Sequence, residues 1–314
     1  MRVADVSLCS YYLSNVSTNV LTDLFLAFKA YFLFSPHLMI ISDPHICSAL
    51  IRGVTDQLAA SATPPQPDET VNQLIQRVTQ ASTWAKTMMR TALGQHYPDI
   101  GWSHSEAQPD NPNETGAAPY WVYDPIDGAY HYVQGLPLWS SSLALISEGR
   151  PVFSIVYEPS LHEIFVATES GGATLNGVTL RVSGKSDLRA AVVATALPPF
   201  GYGDEDEHHR SLALLGAMSR RVFVVRQMAS ASLQLAYVAA GRLDAYWETG
   251  NDLYDWIAGA LLVQESGGQV TDLAGAPLGL NANGIAAAPE GLAVALLEGL
   301  ARQAGSEVIG PSSH

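Results

Sequence analysis

The order of short apolar segments changes near Lys185, and this change restricts the fold more than any other feature of the chain. Before it, segments of strand-like composition follow one another with only turns between them. The segments are 140–146, 151–157, 163–168 and 178–182, and the turns include Glu148-Gly149-Arg150 and Asn176-Gly177. Short strands joined by Gly and Asn turns are typical of hairpins. This half of the chain therefore predicts an antiparallel, meander-like sheet.

After Lys185, strand-like and helix-like segments alternate. Strand patterns lie at 190–196, 221–225, 270–273 and 285–288, and helical patterns lie at 208–219, 230–240 and 255–266. Gly241 and Gly267 follow two of these helical patterns, as expected at helix ends, and Pro289 opens the last helix. Because alternation of this kind is typical of α/β layers, the chain as a whole is expected to adopt an α/β (α+β) fold.

A long stretch of helical spacing precedes the strands. Apolar residues recur at helical intervals from Val71 to Ala92. Asp68 is the predicted N-cap of this stretch, and Ser82 is predicted to cap a second helix after a break.

Composition excludes several classes of function. The 314 residues include 30 acidic and 16 basic side chains, which gives a formal net charge of −14. This charge argues against binding to nucleic acid or to an anionic membrane surface, because both need a basic face. A small anionic substrate would need a local cation. Only two cysteines are present, so a reducing, cytoplasmic environment is expected.

The first 42 residues differ from the rest of the chain. Their apolar run at 20–34 contains Asp23 and Lys29 and is followed by Pro36, so it is too short and too interrupted for a membrane span. It also lacks the features of a secretory signal. Two interpretations stay open: a dispensable or wrongly translated extension with Met39 as the true start, or an extra helix that packs on the fold or on a partner. The expected division is 1–42 as this extension, 43–186 as the antiparallel half and 187–314 as the α/β half.

The sequence Asp124-Pro125-Ile126-Asp127-Gly128 is the strongest candidate for chemistry. Two carboxylates three positions apart after a strand can turn toward one point, and the intervening carbonyl of Ile126 is free to coordinate. Hard oxygen ligands of this kind suit Mg²⁺. Gly128 lets the chain approach a ligand, and the amides after it can face a phosphate. By itself the motif is more typical of an ordinary turn than of a metal site, because Asp and Pro are frequent in turns.

Two blocks of the chain supply the context. Residues 124–183 carry D-P-I-D-G, and residues 237–272 carry Y-D-W-I-A-G at 254–259. Both blocks resemble the inositol monophosphatase family, which has D-P-I-D-G and W-D-x-A-A-G signatures in this order. The upstream Tyr97-Pro98-Asp99 is similar to a third anchor of that family. The resemblance extends from Asp43 to the C-terminus.

The resemblance implies a layered α-β-α-β-α sandwich of the inositol monophosphatase / fructose-1,6-bisphosphatase type, usually a homodimer. It implies a Mg²⁺-dependent phosphomonoesterase that acts on a small inositol, sugar or nucleotide phosphate. By position, Asp124, Asp127 and Asp255 correspond to one metal site. Asp124 and the carbonyl of Ile126 correspond to half of a second one.

The same resemblance implies the residues that contact the substrate. The amides of Gly128 and Ala129 would bind the phosphate. Glu248 matches a glutamate that holds a substrate hydroxyl. Ser230 and Ala231 match the small residues that line the sugar or cyclitol.

Two departures from the family pattern concern activation of the attacking water. The family has a threonine where this chain has Ala129, and an aspartate where it has Ser82. Alanine has no hydroxyl, and a serine hydroxyl is not a base near pH 7. Loss of a positioned base typically costs about 10²–10⁴ in rate. The alternative is therefore a catalytically weakened member that binds metal and a phosphorylated ligand or acts as a partner subunit.

A third departure concerns a metal ligand. When the chain is aligned without gaps from Tyr97-Pro98-Asp99, Ser105 falls on the ligand glutamate of the family's G-E-E pattern and Glu106 falls on its neighbour. A shift of one residue would make Glu106 the ligand, and both alignments stay open.

Overall fold

The predicted change near Lys185 corresponds to a passage from one β-sheet to another. The computed structural model describes residues 43–103, 118–198, 204–279 and 282–304. The helices are α1 (Pro44–Ser61), α2 (Val71–His96), α3 (Ala129–Gln134), α4 (Glu205–Met218), α5 (Ala231–Ala239), α6 (Leu253–Glu265) and α7 (Glu290–Ala304), with a 3₁₀ turn at Leu188–Ala190.

The first sheet contains seven strands in chain order. They are β1 (Gly101–Trp102), β2 (Tyr120–Asp127), β3 (Ser140–Ser147), β4 (Arg150–Glu158), β5 (Glu163–Thr168), β6 (Gly172–Leu175) and β7 (Val178–Thr179). Every neighbouring pair is antiparallel except β1 and β2, so the predicted meander is confirmed. The prediction of a strand over 178–182 is wrong in part. Glycines at the start of β6 hid that strand, and β7 ends at Thr179.

The second sheet contains β8 (Val192–Thr195), β9 (Val224–Gln227), β10 (Ala245–Glu248), β11 (Gly268–Thr271) and β12 (Ile285–Pro289). Their order is β11-β12-β10-β8-β9, with β8 parallel to both β9 and β10. Two details differ from the predictions. β9 lies a few residues later than 221–225, and Pro289 ends β12 while Glu290 begins α7.

Successive residues along each strand point to opposite faces of the sheet, and each face packs against different helices. This arrangement produces five layers. In β2, Trp121 and Tyr123 pack with α1 and α2, whereas Val122 packs with α5 and α6. In β10, Tyr246 faces α5 and α6, whereas Trp247 faces α4 and α7. Because α6 lies between two sheets, it buries apolar side chains on all sides. The predicted α-β-α-β-α sandwich is confirmed.

The break predicted near Ser82 does not exist. α2 is continuous over 26 residues. Its N-cap is Thr70 rather than Asp68, because Thr70 and Gln73 form a reciprocal capping box that satisfies two backbone amides. A serine in a helix interior costs only a fraction of a kcal/mol relative to alanine, about 0.5, so the apolar periodicity carries the helix through Ser82.

The described residues from Pro44 onward form one compact unit. The division of the chain at 42 and at 187 stays a prediction, and the extension at 1–42 lies outside the described residues. Among the helices of the described part, none has the length and apolar character that crossing a membrane requires.

Candidate metal centre

The two aspartates of the D-P-I-D-G motif lie at a bulge in strand β2. Asp124 is paired with Ser142 and Asp127 with Ser140, so three steps along β2 oppose two steps along β3. The motif was predicted to follow a strand, and that detail is wrong, because β2 continues through it to Asp127. A bulge bends the strand and redirects its side chains. Both carboxylates can therefore approach one point.

Hydrogen bonds maintain the bulge. The backbone amide of Ile126 donates to Oδ1 of Asp124 at 3.0 Å, and the hydroxyl of Ser141 donates to the carbonyl of Pro125 at 2.6 Å. The side chain of Ile126 is buried among the apolar residues under the sheet. The role of its carbonyl as a metal ligand stays a prediction.

Asp127 is held by the N-terminus of α5. Its carboxylate accepts from the amide of Ala231 at 3.2 Å, from the amide of Ser232 at 2.7 Å and from the hydroxyl of Ser230 at 3.0 Å. The hydroxyl of Ser232 donates to it as well. The first amides of a helix have no partner within the helix and carry its positive dipole end. Burial raises the pKa of Asp127, and these four donors oppose that shift.

Ser140 and Ser232 belong to this network but were not predicted from the sequence as site residues. The hydroxyl of Ser140 lies 2.8 Å from that of Ser230 and 3.0 Å from that of Ser232, and all three side chains are buried. Ser230 and Ala231 were predicted to line the substrate, and the structure places them against Asp127. Their contact with a substrate stays a prediction. In the sequence, the role of Ser140 and Ser232 is indicated only by the run of serines at 140–142 and by the serines at the start of a helix.

Asp255 completes a cluster of three carboxylates. It lies in the first turn of α6, and one oxygen each of Asp124, Asp127 and Asp255 lie within 4.8 Å of one another. Burial raises the pKa of Asp255 well above its usual range, and the charges of Asp127 and Asp124 raise it further. No described residue donates a hydrogen bond to its carboxylate. Asp127 is buried, and Asp124 and Asp255 are half-buried. Three carboxylates this close repel one another without a cation, so this donor set fits a divalent metal ion.

Glu248 lies at the end of β10 and faces the same cluster. Its Oε2 accepts from the hydroxyl of Tyr246 and from the indole Nε1 of Trp256, the latter at 2.7 Å. Burial raises the pKa of Glu248 to about 7, and the charges of Asp252 and Asp127 add to the shift. Among the described residues, no donor reaches Oε1. One oxygen is thus held in place and the other can accept from a ligand.

Trp256 was missed as a site residue. The Y-D-W-I-A-G block contains Trp256 directly after Asp255, but the sequence assigned no role to its side chain. Its indole connects the cluster on α6 to Glu248 on β10. An indole N–H eight positions from a glutamate gives no local signal of this contact.

The backbone after Asp127 requires glycine. Gly128 has φ +90°, and a Cβ there would lie 3.2 Å from Cβ of Trp139 and 3.3 Å from Cβ of Ser230. A left-handed φ is rarely adopted by residues with a side chain. Gly128 is the N-cap of α3, and Ala129 is the first residue of that helix. The binding of phosphate by these two amides stays a prediction.

Two of the positions that depart from the family pattern, Ser82 and Ala129, lie on neighbouring helices. Ser82 is half-buried within α2, and α2 packs against α3, which begins at Ala129. Ser105 and Glu106 lie outside the described residues, so the choice between them as metal ligand stays open.

A five-layer sandwich with a carboxylate triad on β2 and α6 places the chain among proteins that can hold a metal ion on acidic side chains. The profile of the inositol monophosphatase family matches residues 49–307. The chain therefore belongs to the inositol monophosphatase family.

Individual relatives agree with this assignment. An inositol-1-monophosphatase of Rhizobium meliloti is 37% identical over 225 residues, which cover 72% of this chain and 83% of that protein. A protein of Pseudomonas aeruginosa named Nus factor SuhB is 38% identical over 198 residues, 63% of this chain and 73% of that protein. The solved structure of an inositol monophosphatase from Anabaena matches with a TM-score of 0.66 at 25% identity, covering 82% of this chain and 95% of that one.

Proposed function

We propose that this protein is a Mg²⁺-dependent phosphomonoesterase for a small inositol, sugar or nucleotide phosphate. The observation that carries the proposal is the convergence of Asp124, Asp127 and Asp255, each with one carboxylate oxygen within 4.8 Å of those of the other two. Membership of the inositol monophosphatase family supports phosphatase chemistry at such a cluster.

The three aspartates would hold the metal together with the carbonyl of Ile126. In the alignment that is shifted by one residue, Glu106 would be a further ligand. When bound, Mg²⁺ neutralises phosphate oxygens and lowers the pKa of a bound water. The amides of Gly128 and Ala129 would donate to the phosphate. Oε1 of Glu248 would accept a hydrogen bond from a hydroxyl of the substrate and so orient the ester.

The reaction consumes one water. The water oxygen forms a bond to phosphorus, the ester P–O bond breaks, and the alcohol oxygen takes up a proton, so that the products are the free alcohol and inorganic phosphate. Ala129 and Ser82 offer no carboxylate–hydroxyl pair to receive the proton of the attacking water. We therefore expect turnover below that of a member with the intact pair, by about 10²–10⁴.

The direct test is release of inorganic phosphate from a panel of inositol, sugar and nucleotide monophosphates with Mg²⁺, with and without EDTA. Asp124→Asn is the comparison variant, because it keeps the shape of the side chain and removes its charge. We expect phosphate release that requires the metal and is lost in Asp124→Asn. Phosphate release that is equal in the variant would contradict the proposal.

The alternative is a family member that binds metal and phosphorylated ligand but hydrolyses it weakly or acts as a partner subunit. Ser82 and Ala129 favour it. Metal-dependent binding of a phosphomonoester, measured by calorimetry, without phosphate release over hours would decide for this alternative.

Three further expectations belong to the same proposal. The protein is expected to form a homodimer, which sedimentation would test, and to reside in the cytoplasm, which fractionation would test. It is expected not to bind nucleic acid. The name Nus factor belongs to relatives of this chain, so a binding assay with RNA is the relevant measurement.

A further inference from the structure

Three consecutive residues at the start of α6 join the metal centre to both sheets. The hydroxyl of Tyr254 donates to the carbonyl of Tyr123 on β2. Asp255 belongs to the carboxylate triad. The indole Nε1 of Trp256 donates to Oε2 of Glu248 on β10 at 2.7 Å. The first turn of α6 therefore fixes the spacing between the metal ligands and Glu248.

Close packing holds this turn in place. A Cβ on Gly259 would lie 2.5 Å from Cβ of Leu235, so α6 and α5 approach closely one turn after Trp256. Trp256 is 0% exposed and packs in the same apolar cluster as α5. A ring enclosed at this density has no room to change its rotamer. The indole N–H thus reaches Glu248 from a rigid support.

Glu248 receives a second donor from its own strand. Tyr246 precedes it by two positions on β10, so both side chains point to the same face of the sheet. The hydroxyl of Tyr246 donates to Oε2 as well, and its ring is fully buried. Two donors from different elements hold this oxygen and set the orientation of the carboxylate. Oε1 has no donor in the part of the chain that the structure describes.

Burial alone does not account for the pairing of Trp256 with a carboxylate. Nε1 of Trp121 is also buried, and it has no hydrogen-bond partner among the described residues. Burial raises the pKa of Asp255 most, and the charge of Glu248 adds to that shift, so the two carboxylates lie within electrostatic reach of each other. This spacing suits a small alcohol whose phosphate lies at the triad.

The two faces of a bound phosphate have different surroundings. Ala129, at the position where the attacking water would be activated, lines a mostly apolar cavity of about 740 Å³ between α2 and α3. The attacking and leaving oxygens are roughly in line across phosphorus, so the alcohol leaves on the opposite side. Recognition of the alcohol therefore belongs to the side of Glu248.

We infer that Trp256 and Tyr246 are positioning residues that hold Oε2 of Glu248 so that Oε1 accepts a hydrogen bond from a hydroxyl of the alcohol. Through this contact they make the site select phosphomonoesters that carry such a hydroxyl. An ester that lacks it leaves a positioned carboxylate oxygen without a donor, which is unfavourable. The inference rests on the proposed function, since the triad must hold the phosphate.

The test compares glycerol 2-phosphate with isopropyl phosphate. Both have the same three-carbon skeleton and release a secondary alcohol, but only the first carries hydroxyls. A hydrogen bond to a charged group typically changes affinity by about 10- to 100-fold. We expect kcat/KM for glycerol 2-phosphate to be at least about 10-fold higher, mainly through KM. Equal values for the two esters would overturn the inference and leave the proposed function intact.

Trp256→Phe connects this preference to the indole. It keeps an aromatic ring and removes the N–H, and we expect the ratio of the two kcat/KM values to fall by about five-fold or more. Trp247→Phe is the matched control, because Trp247 is a buried tryptophan directly before Glu248 whose ring faces α4 and α7. A general loss of activity would lower both values and leave the ratio unchanged. An unchanged ratio in Trp256→Phe would overturn the inference.

Tyr246→Phe is the second variant, since it removes one hydroxyl from a buried ring and keeps the rest of the side chain. We expect the ratio to fall by about three-fold or more. If Trp256→Phe does not fold, an unchanged ratio in Tyr246→Phe overturns the inference.

Calorimetric binding of the two esters with Mg²⁺ separates this inference from hydrolysis. Tighter binding of glycerol 2-phosphate that is weakened in Trp256→Phe and kept in Trp247→Phe, without phosphate release over hours, would support the inference and contradict the phosphatase. Binding of neither ester would contradict both. Equal binding of the two esters by the parent chain would overturn the inference alone.

Discussion

The two sides of the candidate metal centre are built from different kinds of residue. On the side of β2, α5 and α6, three carboxylates converge, and hydroxyl and amide groups at the start of α5 donate to the carboxylate of Asp127. On the side of α2 and α3, apolar side chains and Ala129 face a cavity. The first side carries carboxylates that can bind a cation, whereas the side chains of the second are mostly apolar. The comparison indicates a site whose carboxylates can hold a metal ion and whose helical side has no Asp, Glu, Lys or Arg among the described residues that line the cavity.

The largest effect is expected for Asp255→Asn. Loss of one of three ligands removes most of the metal's contribution, which is several kcal/mol, so phosphate release should fall by about 10³-fold. We also expect Mg²⁺ to raise the Tm of the parent chain through linkage, and this rise should disappear in Asp255→Asn. Asp252→Asn is the control. Asp252 lies one helical turn before Asp255, and burial raises its pKa too, but its carboxylate is not part of the triad. A Tm of the parent chain that millimolar Mg²⁺ leaves unchanged would count against the metal site.

The second effect concerns the charge of Glu248. Its pKa is about 7 in the folded protein and about 4.5 otherwise, so the folded state keeps the proton to higher pH. Stability of the metal-free protein should therefore fall as pH rises from about 4.5 to 7, by about 3 kcal/mol from this group. Glu248→Gln should remove that loss at pH 8 and change little at pH 4. Glu205→Gln, on the exposed start of α4, is the control.

Denaturant titrations in EDTA at both pH values would measure the effect. If Glu248→Gln destabilises the metal-free protein at pH 8 as much as at pH 4, the burial of a charged glutamate is not the cause of the pH dependence.

The third effect tests the donors on the carboxylate side. Ser232→Ala removes a hydroxyl that donates to the buried carboxylate of Asp127, which should cost about 2 kcal/mol of unfolding free energy. Ser154→Ala is a matched control, because Ser154 is also fully buried but its hydroxyl has no partner among the described residues. Urea unfolding should show the difference. Equal costs in the two variants would mean that the Asp127 network contributes no specific stability.

The fourth effect tests what the helical side has lost. Ser82→Asp combined with Ala129→Thr should place a carboxylate and a hydroxyl beside the metal and raise kcat by about 10-fold, or about 1.4 kcal/mol of barrier. Since both groups act on one water, each single variant should gain much less. Steady-state kinetics of the four proteins would measure this. No gain in the double variant, with metal binding intact, would show that water is activated by another route or not at all.

Much of the fold could be predicted because it depends on local patterns. The turns at Glu148-Gly149 and Asn176-Gly177 have positive φ angles at both residues, a conformation that Gly and Asn favour. The Ala-rich helices before Gly241 and Gly267 end within a residue or two of the predicted positions. The errors occurred where two local signals compete. The N-cap of α2 is Thr70 and not Asp68. The strand predicted over 178–182 is β7, which ends at Thr179, and the short strand β6 before it was not predicted.

The site was predictable as a set of residues but not as an arrangement. The spacing of the motif indicated Asp124 and Asp127, and the resemblance to the inositol monophosphatase family added Asp255 and Glu248. The bulge that aims the first two carboxylates depends on pairing with β3, which the motif does not encode. The contact of Trp256 with Glu248 joins a helix to a strand, so no spacing rule indicates it.

The sequence by itself determined the order of elements, the glycine at 128 and the carboxylates available for a metal. These depend on backbone preference and on side-chain chemistry that each residue carries into any fold. Only the tertiary structure decided which oxygens of Asp127 and Glu248 accept hydrogen bonds, how far burial raises the pKa of Asp255, and where an apolar cavity opens beside them. Burial and electrostatic interaction depend on distances between groups that are far apart in the chain, and those distances exist only after the two sheets and the α5–α6 layer have packed together.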